Sequence, residues 1–116
     1  MAERDAVMAR LAKKQYARLI EPLRAKAREL GYALAVHGSL ARDIDLVAVP
    51  WVEEAVPAED LVKALVILLR IETGFAALSA GLDGQIISVR PHGRRAWAIV
   101  MGGGSYIDLS VIDPAR

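Results

Sequence analysis

The stretch His37-Gly38-Ser39-Leu40-Ala41-Arg42-Asp43-Ile44-Asp45-Leu46 concentrates the residue types best suited to chemistry in this chain. Asp43 and Asp45 stand two apart where an apolar run, Ile44 to Val49, begins. That run reads as a β-strand closed by Pro50. Side chains at i and i+2 of a strand project to the same side, so the two carboxylates emerge together. Like charges held at a semi-buried position repel, and a cation relieves the cost. Mg2+ suits the role, because it prefers hard carboxylate oxygens and keeps positions open for water and phosphate. Just upstream, Gly38 would let the backbone approach a phosphate closely, and the Ser39 hydroxyl could donate to one. A third carboxylate, Asp108, lies in the apolar strand pattern Ser105-Tyr106-Ile107-Asp108-Leu109-Ser110-Val111. By alternation it faces with Tyr106 and Ser110, away from Ile107 and Leu109. If the two strands run near each other, Asp43, Asp45 and Asp108 form the minimal cage for two Mg2+ ions in an in-line phosphoryl or nucleotidyl displacement.

A second segment, Arg90-Pro91-His92-Gly93-Arg94-Arg95-Ala96-Trp97, gathers arginines around a glycine turn. Guanidinium groups grip phosphates bidentately, and an indole face stacks on a base or on an arginine. Arg94 is therefore a candidate phosphate ligand. Each candidate also has a plainer reading. Asp43 and Asp45 could face solvent at a strand start, Asp108 could pair with Arg94 or Arg95, and the arginine turn could be a basic hairpin end with Trp97 in the core. His37 and His92 offer no ligand spacing for a histidine metal site. Gly102-Gly103-Gly104 lacks a following helix and a P-loop lysine, so it reads as a hairpin turn. Trp51 reads as a lid on the strand end, or as a partner surface if it is exposed.

Gly38-Ser39, then Asp43-x-Asp45 on a strand, then Asp108 on a later strand resembles the nucleotidyltransferase superfamily typified by DNA polymerase β. The size match is with its minimal members, which pair with a helical protein partner. The resemblance covers about Ala27 to Pro50 and Ser105 to Val111. It implies that Gly38 and Ser39 hold a nucleoside triphosphate, that Asp43 and Asp45 bind both metals, and that Asp108 helps to activate the attacking hydroxyl. Leu40-Ala41-Arg42 resembles the run that follows the serine in the minimal members, which adds Arg42 to the expected nucleotide contacts. Mg2+, with Mn2+ able to substitute, is the implied cofactor. Only Leu40, Ala41 and Arg42 separate Gly38-Ser39 from Asp43, a shorter connection than the family carries. Two functions follow from this: nucleotide transfer to a hydroxyl acceptor, or a catalytically silent module of the same fold that binds a protein partner or nucleic acid.

The elements that must position these residues follow from periodicity. Residues 3–30 read as a helix, with Met8, Leu11, Tyr16, Leu19, Leu23, Ala27 and Leu30 on one stripe and Pro22 as a kink or a restart. Gly31 terminates it. Tyr32 to Val36 and Ile44 to Val49 read as strands, and Ala58 to Ile71 as a second helix with Glu59 and Asp60 in its first turn. Thr73 to Gly84 reads as loop or a short turn of helix. Gln85 to Arg90, Arg95 to Met101 and Ser105 to Ile112 read as strands, the last two forming a hairpin. The predicted order is α-β-β-α-β-β-β. It describes one α+β domain over residues 1–116, with a mixed sheet and helices packed on it.

Composition sets the outer bounds. A chain of 116 residues with 54% hydrophobic and 25% charged residues is a single folding domain and not a disordered one. There is no cysteine, which excludes disulfides, thiolate metal sites and cysteine nucleophiles. The longest uninterrupted apolar runs, such as Ala64 to Leu69, lie far below the roughly 20 residues of a membrane span. The N-terminal Met-Ala-Glu-Arg-Asp carries no apolar leader, so a cytoplasmic location without membrane contact is expected. The net charge of +1 argues against a general polyanion binder. Its distribution is uneven: residues 1–30 hold eight Lys/Arg against four Asp/Glu, and the rest of the chain seven against ten.

Overall fold

A computed structural model describes residues 2–37, 44–74, 78–79, 88–90, 93–100 and 106–114. Helix α1 (Ala2–Glu29) is a single 28-residue element. At 1.5 Å per residue it is about 42 Å long, which accounts for most of the 47 Å long axis of the molecule. Leu19, Ile20, Leu23 and Ala27 recur at helical spacing and are buried, with Tyr16 and Leu30 packed beside them. The expected members Met8 and Leu11 lie outside the described side chains. The helix runs through Pro22 without a break. The ring removes the amide that would bond the Arg18 carbonyl, and burial of Leu19, Ile20 and Leu23 on either side of it offsets that loss.

Gly31 ends α1 and turns the chain into strand β1 (Tyr32–Val36). Its φ of 95° is one that L side chains rarely adopt. The turn is tied down by its neighbours: Trp51 N–H donates to the Gly31 carbonyl at 3.0 Å, and Val56 N–H donates to the Leu30 carbonyl at 3.1 Å. A Cβ at Gly31 would stand 2.6 Å from Ala55 Cα. Strand β2 (Ile44–Pro50) pairs antiparallel with β1. Helix α2 (Ala58–Thr73) follows, with Glu59 and Asp60 in its first turn. Gly74 closes it in the left-handed conformation, donating its N–H to the Arg70 carbonyl at 3.0 Å. The Arg18 guanidinium of α1 donates to the Glu72 carbonyl, tying the last turn of α2 to α1.

Four further strands complete one mixed sheet: β3 (Leu78–Ser79), β4 (Ser88–Arg90), β5 (Arg94–Val100) and β6 (Tyr106–Ile112). The order is β1-β2-β6-β5-β3, with β4 also paired to β5. The parallel pairing is β2 with β6; the other pairings are antiparallel. The molecule is thus α+β, as expected. Its described elements run α-β-β-α-β-β-β-β, one strand more than predicted, because Leu78–Ser79 adds a short pairing on β5 where a loop or helical turn was expected.

Both helices cover one face of the sheet. Leu61, Val62, Leu65, Val66 and Leu69 of α2 share a cluster with Ile44, Leu46 and Ala48 of β2 and with Ile107, Leu109 and Val111 of β6. Trp97 is 1% exposed in this core, and its indole N–H has no acceptor among the described residues. Tyr32, equally buried, donates its hydroxyl to the Val56 carbonyl at 2.7 Å. Among the described residues, no helix is long and apolar enough to cross a membrane.

Replacing Gly31 with Ala adds left-handed strain and a backbone clash, and should cost roughly 2–4 kcal/mol. Gly74→Ala meets nothing within 4 Å, so it should cost only about 1 kcal/mol, from its left-handed φ. Urea unfolding midpoints of the two variants should separate in that order.

Candidate functional site

The two acids predicted on separate strands are register partners. In the parallel pairing of β2 and β6, Asp45 stands opposite Asp108, flanked by Ile44 opposite Ile107 and Leu46 opposite Leu109. Adjacent strands lie about 4.8 Å apart, so the two carboxylates issue side by side. Both are half-buried. Ile44, Leu46, Ile107 and Leu109 lie in the core, so by alternation Asp45 and Asp108 share the sheet face opposite the helices.

The pair sits at the sheet end where β1 stops and β2 starts. His37 N–H donates to the Asp45 carbonyl at 2.7 Å, carrying the β1–β2 pairing to the edge of this end. The candidates Gly38, Ser39, Arg42 and Asp43 belong to the segment that joins β1 to β2, and they lie outside the described residues. Among the described residues no group of three or more metal-ligating side chains occurs. Two hard oxygen donors from neighbouring strands suit Mg2+.

Arg94 falls on the same face by alternation, but at the other end of β6. It pairs with Ile112, whereas Asp108 pairs with Ala98. Four residues of strand put Arg94 about 13 Å from Asp108. The structure therefore brings together Asp45 and Asp108, and leaves Arg94 apart from them.

Arg95, grouped with Arg94 in the sequence, turns to the helical face. It donates to both carboxylate oxygens of Asp113, at 2.8 and 2.6 Å, and to Glu59 in the first turn of α2. Its guanidinium lies 5.1 Å above the Trp97 ring. The hydrogen bonds it donates to Asp113 hold its pKa above the ordinary arginine value; burial works against this and Glu59 adds to it. Arg95 is thus a clasp between α2, β5 and the end of β6, with its charge already balanced. Strand alternation carried this signal, since neighbours in a strand point to opposite faces. Glu59 lies 36 residues away in sequence, and no local pattern identifies it.

No family model matches the sequence, and neither a curated protein nor a solved structure matches it.

Arg95→Met keeps the stem over Trp97 and removes the charge. It leaves Glu59 and Asp113 facing each other, and should cost about 1–2 kcal/mol in chemical denaturation. A raised arginine pKa contributes stability that is complete below the unfolded value and lost only as pH rises through the folded one. The difference between wild type and Arg95→Met attributable to arginine titration should therefore stay constant from pH 7 to 10.

Proposed function

We propose that this chain is a Mg2+-dependent nucleotidyltransferase-like protein of the DNA polymerase β type, acting in the cytoplasm on a nucleoside triphosphate. One observation carries the reading: Asp45 and Asp108 are direct register partners on adjacent parallel strands. A pair of half-buried carboxylates side by side on the sheet face opposite the helices is the geometry that a metal-assisted displacement at phosphorus uses. Asp45 and Asp108 would hold the metal together with Asp43. Gly38, Ser39 and Arg42 would hold the triphosphate. When bound, Mg2+ supplies neutralisation of the charge that develops on the phosphate oxygens. Asp108 takes the proton of the acceptor hydroxyl as its oxygen attacks the α-phosphorus. The bond to the bridging oxygen breaks and pyrophosphate leaves.

A second reading has its own support. Only three residues, Leu40, Ala41 and Arg42, separate Gly38-Ser39 from Asp43, fewer than the family places between its Gly-Ser and its paired acids. A chain that has given up the triphosphate grip would keep this fold as a binding or regulatory module for a protein partner or a nucleic acid.

Thermal unfolding separates the two. With Mg2+ and a nucleoside triphosphate at about a hundred times its dissociation constant, the active protein should gain roughly 2.7 kcal/mol. Asp45→Asn and Asp108→Asn should each lose that gain while unfolding cooperatively on their own. Absence of a metal-dependent shift with all four triphosphates would discard the transferase and leave the silent module.

A further inference from the structure

Three adjoining hollows run along one flank of the molecule, at the end of β2 opposite the acids. The central one, about 300 Å3, is walled by Arg24 and Arg28 of α1 and by Trp51, over a floor that includes Tyr32 and Leu34 of the edge strand β1. A second, about 320 Å3, shares both arginines and includes Glu21. The third, about 270 Å3, lies on the other side of Trp51 and includes Glu53. Trp51 follows β2 directly and is 60% exposed. An indole left in water beside a hollow is a stacking platform.

The cations beside it are differently held. Arg24 is positioned: its Nε donates to the Leu34 carbonyl at 3.3 Å, and it reaches Glu21 at 3.4 Å. Arg28 is exposed and has no side-chain hydrogen bond or ion pair among the described residues. Lys13 and Lys14, also exposed, continue the basic character of α1 towards its N-terminal end. Glu21 and Glu53 are the acidic members, and Glu21 is already engaged by Arg24.

We propose that this track binds a single strand of nucleic acid, with one base stacked on Trp51 and backbone phosphates on Arg24 and Arg28. A positively charged groove with an interposed aromatic platform is how proteins hold unpaired bases without reading sequence. A duplex keeps its bases stacked inside and has no use for an isolated exposed indole. An acidic peptide would use the arginines but not the ring. The track is independent of the acid pair. Trp51 lies six residues along the chain from Asp45, about 20 Å at strand spacing.

The test uses the full chain in EDTA, so that no metal-dependent nucleotide site contributes. Anisotropy of a fluorescein-labelled oligo(dA) of about 12 nucleotides, within the usual site size, reads binding against salt. Two phosphate contacts predict a slope of log K on log salt near −1.4, and Arg28→Ala should bring it to about −0.7. Trp51→Ala should weaken binding at least about fivefold, and Trp51→Phe should restore most of it. Asp45→Asn should bind like wild type, so this result and that of the metal-dependent nucleotide test are read separately. The proposal is overturned by no binding, by affinity indifferent to Trp51→Ala, or by poly-glutamate or AMP displacing the strand as well as unlabelled oligo(dA) does.

Discussion

The register between β2 and β6 fixes the acid end of this molecule. Ile44, Leu46 and Ala48 on one strand, and Ile107, Leu109 and Val111 on the other, must all reach the same helix-covered core. Because side chains alternate, a slip of one residue would carry the apolar row of one strand to the opposite face and send its polar row into the core. Asp45 opposite Asp108 is the consequence. Burial of six aliphatic side chains, each favoured by about 1.5–3 kcal/mol when large, sets this register. The core holds the acids together; the acids do not hold the strands together.

The same constraint explains why the connection between the paired strands is long. Parallel neighbours cannot be joined by a hairpin. The chain leaves β2 at Pro50, crosses the helical face as α2, and returns through β5 before entering β6. Arg95 closes this circuit by joining the first turn of α2 to the strand that precedes β6 and to Asp113 just after β6. Placed over Trp97, the guanidinium spends its charge on two carboxylates at the sheet margin.

Local features of the fold were readable in the sequence because each has a local cause. Gly31 marks the end of α1, Pro50 the end of β2, and Glu59-Asp60 the first turn of α2; the structure follows all three. The hairpin of β5 and β6 followed from alternating apolar runs around three glycines. What was not readable is non-local. Nothing near Asp45 or Asp108 in sequence says that they face each other; only the resemblance supplied that adjacency, and the sheet places it. The two-residue β3 is too short to show a period. Arg94 and Arg95 looked like one cluster because they are consecutive, yet a strand separates consecutive residues by a sheet's thickness.

β2 carries different chemistry at its two ends: carboxylates where it starts, and an exposed indole beside two arginines where it stops. At physiological salt the screening length is about 8 Å, well short of the roughly 20 Å between these ends. Charge bound at one end is not felt electrostatically at the other. Any influence between them has to pass mechanically along β2, a central strand whose register the core already fixes. Such a strand transmits a shift only by moving the row of Ile44, Leu46 and Ala48 against α2. Close packing there resists displacement. The two ends of β2 are thus separated both electrostatically and mechanically.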